Sequence, residues 1–206
     1  MPKRHHSPNA KGRILEVAKE IFAEKGFDGS RVDEIAKKAN VPKSLIYYHF
    51  KSKDAILEEL LKTCLAEYEA ILDEVSTTQP ASSSEALAGR IRTVYLKFLE
   101  EHEDTIRIIS MEALKKGSEK AHLAFKFVES FMEIDDHHRK RSGQTLTAEA
   151  RSEKMVVEFF TSFIPVTLFS CFRDVWSEYF DVDQEALSEQ FLTAYNSTYG
   201  EYRRQK

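Results

Sequence analysis

Pro42, two residues after Asn40, forbids a single continuous helix through the most strongly patterned stretch of the chain, SRVDEIAKKANVPKSLIYYHFKSK at residues 30–53. On its N-terminal side Ser30 and Asp33 stand at capping-box spacing. Val32, Ile35, Ala36 and Ala39 then recur at i, i+3, i+4 and i+7, one apolar stripe on one helical face. Asn40 tolerates positive φ better than other non-glycine residues and permits a sharp turn. Proline suits the first position of a new helix. That second helix, about Lys43–Phe50, places Ile46 and Phe50 on one side and leaves Lys43, Ser44, Leu45, Tyr47, Tyr48 and His49 outside. Two short helices about a tight turn form a helix-turn-helix, and the exposed side chains are of the kinds that contact DNA.

The net charge of −4 argues on its face against nucleic acid, but its distribution points the other way. Residues 1–53 carry 12 Lys and Arg against 6 Asp and Glu, a balance of +6, while the rest of the chain balances at −10. A basic head on an acidic body confines the phosphate-binding footprint to one end. Cys64 and Cys171 sit in apolar helical patterns without metal-ligand spacing, as expected of a reducing, cytoplasmic compartment. The opening MPKRHHSPNAK has no apolar core and does not read as a signal peptide. Met155–Phe172 contains one charge, Glu158, and is interrupted by Pro165; it reads as a core or dimer helix rather than a membrane span.

No strand pattern is evident, and the chain reads as all-α with about nine helices. Residues 1–10 form a basic arm. A first helix, about Lys11–Lys25, turns Ile14, Ala18, Ile21 and Phe22 inward and stops at Gly26. Ser52 caps a long fourth helix, about Lys53–Val75, and STTQPASSS at 76–84 reads as a loop. Five further helices are expected, at about 85–101, 104–116, 119–141, 148–179 with a kink at Pro165, and 184–203. The expected division is a DNA-binding domain at 1–52 and a connecting, effector-binding and dimerisation domain at 53–206, joined through the fourth helix.

Residues 12–61 resemble the DNA-binding domain of the TetR/AcrR family of bacterial transcriptional regulators. The resemblance rests on Phe22, Gly26 and Phe27 ending the first helix, the Ile35-Ala36 pair, the Tyr47-Tyr48-His49-Phe50 run and Lys53. Asn40 replaces the usual turn glycine, Pro42 the usual serine cap, and Ser44-Leu45 a frequent Gly-Thr pair. The resemblance implies phosphate contacts from Tyr47, His49 and Lys53, with Ser30 or Arg31 reaching the opposite strand. Base contacts fall to Lys43, Ser44, Leu45 and Tyr48, where Lys43 suits guanine and Leu45 or Tyr48 a thymine methyl. Lys3, Arg4 and Lys11 of the arm suit the minor groove or non-specific attraction.

The resemblance also implies a small-molecule pocket in the body, for an apolar or aromatic effector. Candidate lining residues are Tyr68, Phe98, His102, Met111, Glu112, Phe125, Phe131, Phe159 and Phe163, although aromatic residues at helical spacing are more often plain core. Polar residues inside apolar runs, Glu158 and Thr161 among them, are further pointers. The last two helices carry apolar stripes broader than an intrachain contact needs, and a homodimer is expected through Phe169, Leu187, Phe191, Tyr195 and Tyr199. In DDHHRKR, at 135–141, only Asp135 and His138 share a helical face, so no metal site is expected. No catalytic constellation or cofactor motif is present in the sequence. The expected function is a ligand-responsive repressor that binds a palindromic operator as a homodimer. Activation, control by a protein partner, or a helical sensor with a vestigial DNA head are the alternatives, and intact Tyr47, His49 and Lys53 weigh against the last.

Overall fold

A computed structural model of the chain describes residues 10–78, 98, 101–141, 143, 145–200 and 202, and among them all regular structure is helical. Helix α1 (Ala10–Gly29) is broken at Gly26, whose φ of 73° and ψ of 160° only glycine adopts without strain. Its inner face buries Ile14, Val17, Ala18, Ile21 and Phe22. Helices α2 (Val32–Lys38) and α3 (Lys43–His49) flank the tight turn. Asn40 takes φ 52°, and the Val41 amide donates to the Ala36 carbonyl at 3.0 Å. Pro42 stands at the N-cap of α3, where a missing amide hydrogen costs nothing. Ile14, Ile35, Ile46, Phe50, Ile56 and Leu57 join one core, so three short helices and the start of a fourth bury a single apolar cluster.

The capping box expected at Ser30 does not form. The helix begins at Val32 with Arg31 as its N-cap and no side-chain cap bond. Ser30 is instead 3% exposed, and its hydroxyl donates to the Gly26 carbonyl at 2.6 Å. The break at Gly26 leaves that carbonyl without its helical partner, and a short hydroxyl four residues on satisfies it.

Helix α4 (Lys53–Thr78) starts where Ser52 accepts from the Ala55 amide at 3.1 Å, and it runs through the first three residues of the expected loop. Along it Ile56, Leu57, Leu60, Leu61 and Cys64 are buried, and burial pushes the Cys64 thiol up to about 12. Helix α5 is continuous over residues 101–114, so the break expected between 101 and 104 is absent. His102-Glu103-Asp104 contains no glycine or proline to force one. Helices α6 (Ala121–Arg141) and α7 (Ala148–Val157) follow, the latter capped by Thr147. The expected kink at Pro165 takes the form of a π-helical turn at Glu158–Phe163, leading without interruption into α8 (Ile164–Phe180). A proline near the start of α8 removes an amide and crowds the carbonyl four residues back, and a widened turn accommodates both. Asp181 at φ 52° ends α8, Asp183 caps α9 (Gln184–Tyr195), and a π turn at Asn196–Gly200 follows α9 directly.

The basic arm with Lys3 and Arg4, most of the expected 85–101 helix and the side chains of Phe131, Asp135 and His138 lie outside the described residues. Ala148–Phe180 is long and apolar enough to cross a membrane by length and composition, but it is a helix pair broken by a π turn and flanked by α6 and α9.

Because Asn40 holds a left-handed conformation that a Cβ-branched or plain alkyl residue resists, Asn40→Ala is expected to lower stability by about 1 kcal/mol. Urea unfolding followed by circular dichroism measures this, and Asn40→Gly should be neutral or stabilising.

Candidate nucleic-acid interface and the cavity behind it

Helix α3 lays its residues out in three rows. Ile46 and Phe50 are buried one turn apart. Lys43, Ser44, Tyr47 and Tyr48 form the outer ridge, with Tyr47 48% and Tyr48 75% exposed. Leu45 and His49 lie between them, half-buried, with the His49 ring edge-on to Tyr48 at 5.1 Å. These two rings stand furthest into solvent on this helix. Lys43 is not idle: its ammonium bonds Asp33 of α2 at 2.7 Å, which raises its pKa. Both partners are largely exposed, so the pair is weak and readily exchanged for another acceptor.

Three residues of the expected DNA face are used differently. Ser30 is turned inward, its hydroxyl bonded to Gly26, so its side chain cannot reach a phosphate. Lys53 also points in, donating to the carbonyls of Phe27 at 2.5 Å and Ser30 at 3.0 Å. Two of its three N–H groups thus hold the α1–α2 turn. Lys11 pairs with Glu59 of α4 rather than standing free. Arg31 is exposed at the start of α2.

Behind this face, the turn between α5 and α6 grips α1 and α4 with two lysines. Lys115 bonds Asp28 at the end of α1 at 2.7 Å and Glu112 of α5 at 2.5 Å. Lys120 lies 3.3 Å from Asp54 in the first turn of α4, and its ammonium sits 4.7 Å from the centre of the Phe27 ring. The hydrogen bond from Lys115 holds the Asp28 carboxyl below its ordinary value. A depressed carboxylate stabilises above its unfolded pKa and loses that effect only as pH falls through the folded one, so this grip is intact at neutral pH.

Helices α5 and α6 continue from this grip to a small cleft, partly open to solvent, with a cavity volume of about 60 Å³. It is lined by Tyr68, Phe98, Ile106, Phe127, Val128, Glu158, Ser162, Phe163, Val166 and Thr167. Of the expected lining, Tyr68, Phe98 and Phe163 are in the wall. His102 lies tilted against Phe98 at 4.5 Å with Nε2 3.0 Å from a Glu67 oxygen, and Phe159 stacks on Phe163 at 5.7 Å. Met111 and Phe125 face solvent, because α5 and α6 turn their Ile106 and Phe127 faces inward instead. Glu112 is buried but bound to Lys115. Glu158 and Phe127 are legible as polar and aromatic interruptions; Ser162 and Thr167 give no such signal.

The residues expected at a dimer interface pack largely within the chain. Phe169 and Phe191 stack face to face at 4.0 Å, joining α8 to α9. The hydroxyl of Tyr195 shares a 2.6 Å hydrogen bond with Ser162, and that of Tyr199 donates to Glu158 at 2.5 Å. Leu187 is half-buried. On α8, Leu168, Phe172, Val175, Trp176, Tyr179 and Phe180 form one exposed row at spacings of three and four.

A helix-turn-helix with a polar and aromatic outer ridge, carried on a helical body, places the chain in the class of helix-turn-helix DNA-binding proteins. Comparison with known proteins narrows the class: the family described as bacterial regulatory proteins, tetR family, matches residues 14–60. The match covers the helix-turn-helix and its flanking helices, and the rest of the chain lies outside it. Its relatives include the biofilm operon icaADBC HTH-type negative transcriptional regulator IcaR of Staphylococcus aureus, 46% identical over 54 residues, which are 26% of this chain and 29% of that protein. The IcaR of Staphylococcus epidermidis is 37% identical over the same length. The chain thus matches less than a third of these regulators' length. Over most of its length it shares a fold with the transcriptional regulator FadR of Bacillus subtilis, solved in complex with stearoyl-CoA (TM-score 0.63, 23% identity, 89% of this chain and 96% of that one). A TetR-family regulator from Bordetella parapertussis gives a TM-score of 0.57 at 18% identity, over 91% of this chain and 94% of that one.

Since Lys53 holds two carbonyls of the α1–α2 turn, Lys53→Met, which keeps the stem and removes the donors, is expected to lower stability by about 1–3 kcal/mol. Thermal unfolding in the absence of DNA tests it; an unchanged melting temperature would return Lys53 to the outer face.

Proposed function

We propose that the chain is a ligand-responsive transcriptional repressor that binds a palindromic operator as a homodimer in the cytoplasm, without enzymatic activity. The outer ridge of α3 carries this reading: Lys43, Ser44, Tyr47 and Tyr48 stand exposed on a helix anchored by Ile46 and Phe50. In the proposed assignment Lys43, Ser44, Leu45 and Tyr48 read bases, while Arg31, Tyr47 and His49 hold phosphates and fix register. The naming of the IcaR proteins as negative regulators supports repression, and the stearoyl-CoA complex of FadR, a protein of the same fold, supports control by a small ligand. The exposed row on α8 supplies the apolar surface a two-fold partner would cover. Half-site centres then lie about 34–36 Å apart or at a multiple of it.

Release follows if a ligand in the cleft favours a dimer whose recognition helices no longer fit successive major grooves. Ile106 of α5 and Phe127 of α6 touch the cleft, and the Lys115 and Lys120 contacts at the other end of those helices touch α1 and α4. A ligand that prefers the released state by about 100-fold contributes roughly 2.7 kcal/mol of coupling through that path.

Selection from random DNA duplexes with the purified protein tests the reading. An enriched palindrome is expected; retention without enrichment would reduce the head to a phosphate binder, and no retention would leave a helical sensor. On that palindrome Phe172→Glu/Trp176→Glu is expected to sediment as a monomer and to lose about 100-fold or more in affinity, as two linked half-sites become independent.

A further inference from the structure

The capping box expected at the start of α2 would have used the Asp33 carboxylate, and that box does not form. The carboxylate instead crosses to the first residue of α3: it is 69% exposed and accepts from the Lys43 ammonium at 2.7 Å. The same ammonium lies 5.9 Å from the centre of the Tyr47 ring, on the outer ridge. Other acids of the head are turned elsewhere, Glu34 to Lys25 and Glu20 to Lys38, between α1 and α2. Asp33 thus places an anion at the N-terminal end of α3, and in a helix-turn-helix that end of the second helix meets base edges.

A carboxylate in that place repels phosphates whatever the sequence, and what it can bind there is a donor on a base edge. The major groove offers two, the N4 amino group of cytosine and the N6 amino group of adenine. Its neighbour Lys43 decides between them. In a G·C pair the guanine O6 accepts from the cytosine N4 amino group, so acceptor and donor stand about 2.9 Å apart on one edge. That spacing matches the 2.7 Å between Lys43 Nζ and Asp33 Oδ1. Guanine adds N7, a second acceptor for an ammonium with three donors. In an A·T pair the amino group lies between two acceptors, and a carboxylate brought to it meets the thymine O4 with no cation beside it. We infer that Asp33 is a base-reading residue outside α3, accepting from the amino group of a cytosine whose paired guanine takes the Lys43 ammonium. On docking, each side chain exchanges the other for a partner on the same base pair, and at 47% and 69% exposure the exchange costs little. The amino group is neutral, so the carboxylate keeps its charge beside the duplex. This assignment rests on the base-reading role proposed for Lys43 and extends it to α2.

The full chain and the palindrome it selects provide the test. Selection repeated with Lys43→Ala marks the base pair that Lys43 reads, and that pair is expected to be G·C. In the same duplex its cytosine is then replaced by 2-pyrimidinone, which lacks the 4-amino group and leaves guanine in place. Relative to the same replacement at an uncontacted pair, the wild-type chain should lose about 10-fold in affinity, whereas Asp33→Ala should bind both duplexes within about twofold. A wild-type chain indifferent to the amino group would overturn the assignment and reduce Asp33 to a repulsive charge. So would an A·T pair at the marked position, no pair relaxed by Lys43→Ala, or an amino-group dependence that survives Asp33→Ala. Each of these leaves the palindrome, and with it the repressor reading, in place. Failure of the wild-type chain to enrich any sequence would remove base reading altogether, and the role of Asp33 with it.

Discussion

The ring of Phe27 is where the parts of this molecule meet. It packs edge-on against Phe22 within α1 at 5.2 Å, takes the ammonium of Lys53 from α4 at 4.3 Å, and takes that of Lys120 from the α5–α6 turn at 4.7 Å. Each cation–ring contact contributes only about 0.5–1 kcal/mol at a partly exposed site. Their importance lies in what they join. The backbone carbonyl of the same residue accepts from Lys53, so the end of α1 is fixed through both its side chain and its main chain. The orientation of α2 and α3, and with it the outer ridge, depends on that end being held. Because Lys120 belongs to the element that leads into α6, the cleft and the ridge share one anchor.

Much of the N-terminal part is legible in the sequence, since its elements are short and each is bounded by a residue with one strong backbone preference. Gly26, Asn40 and Pro42 mark three boundaries, and Ser52 marks a fourth. Polar side chains are harder to place: the family resemblance turns Ser30 and Lys53 outward, whereas both satisfy carbonyls around the break at Gly26. A hydroxyl or ammonium in a pattern announces a donor and does not reveal on which side its acceptor lies.

The body is less legible because its apolar residues recur around most of each helix. Periodicity then shows that a helix is buried without showing against what. Met111 and Phe125 match an inward stripe as well as Ile106 and Phe127 do, and only packing chooses between them. Tyr195 and Tyr199 show the converse. As apolar stripe they suggest a contact between chains, but their hydroxyls are directed to Ser162 and Glu158. The π turn that presents those two partners has no dependable sequence signature beyond Pro165 just after it. One widened turn thus draws two tyrosines toward the cleft.

The head of this chain is basic by count, yet several of its lysines are already engaged. Lys25 pairs with Glu34, Lys38 with Glu20 and Lys43 with Asp33, at 2.7–3.0 Å. On the proposed assignment, docking Lys43 on DNA would exchange one anion for another, with the abandoned Asp33 left close to the duplex. The counterions released from the phosphates are offset by the cation that Asp33 then recruits. The steepness with which salt weakens binding should report this difference rather than the number of lysines in contact. On that assignment the acidic partners on α1 and α2 would temper indiscriminate adhesion to DNA and leave more of the affinity to the side chains that read it.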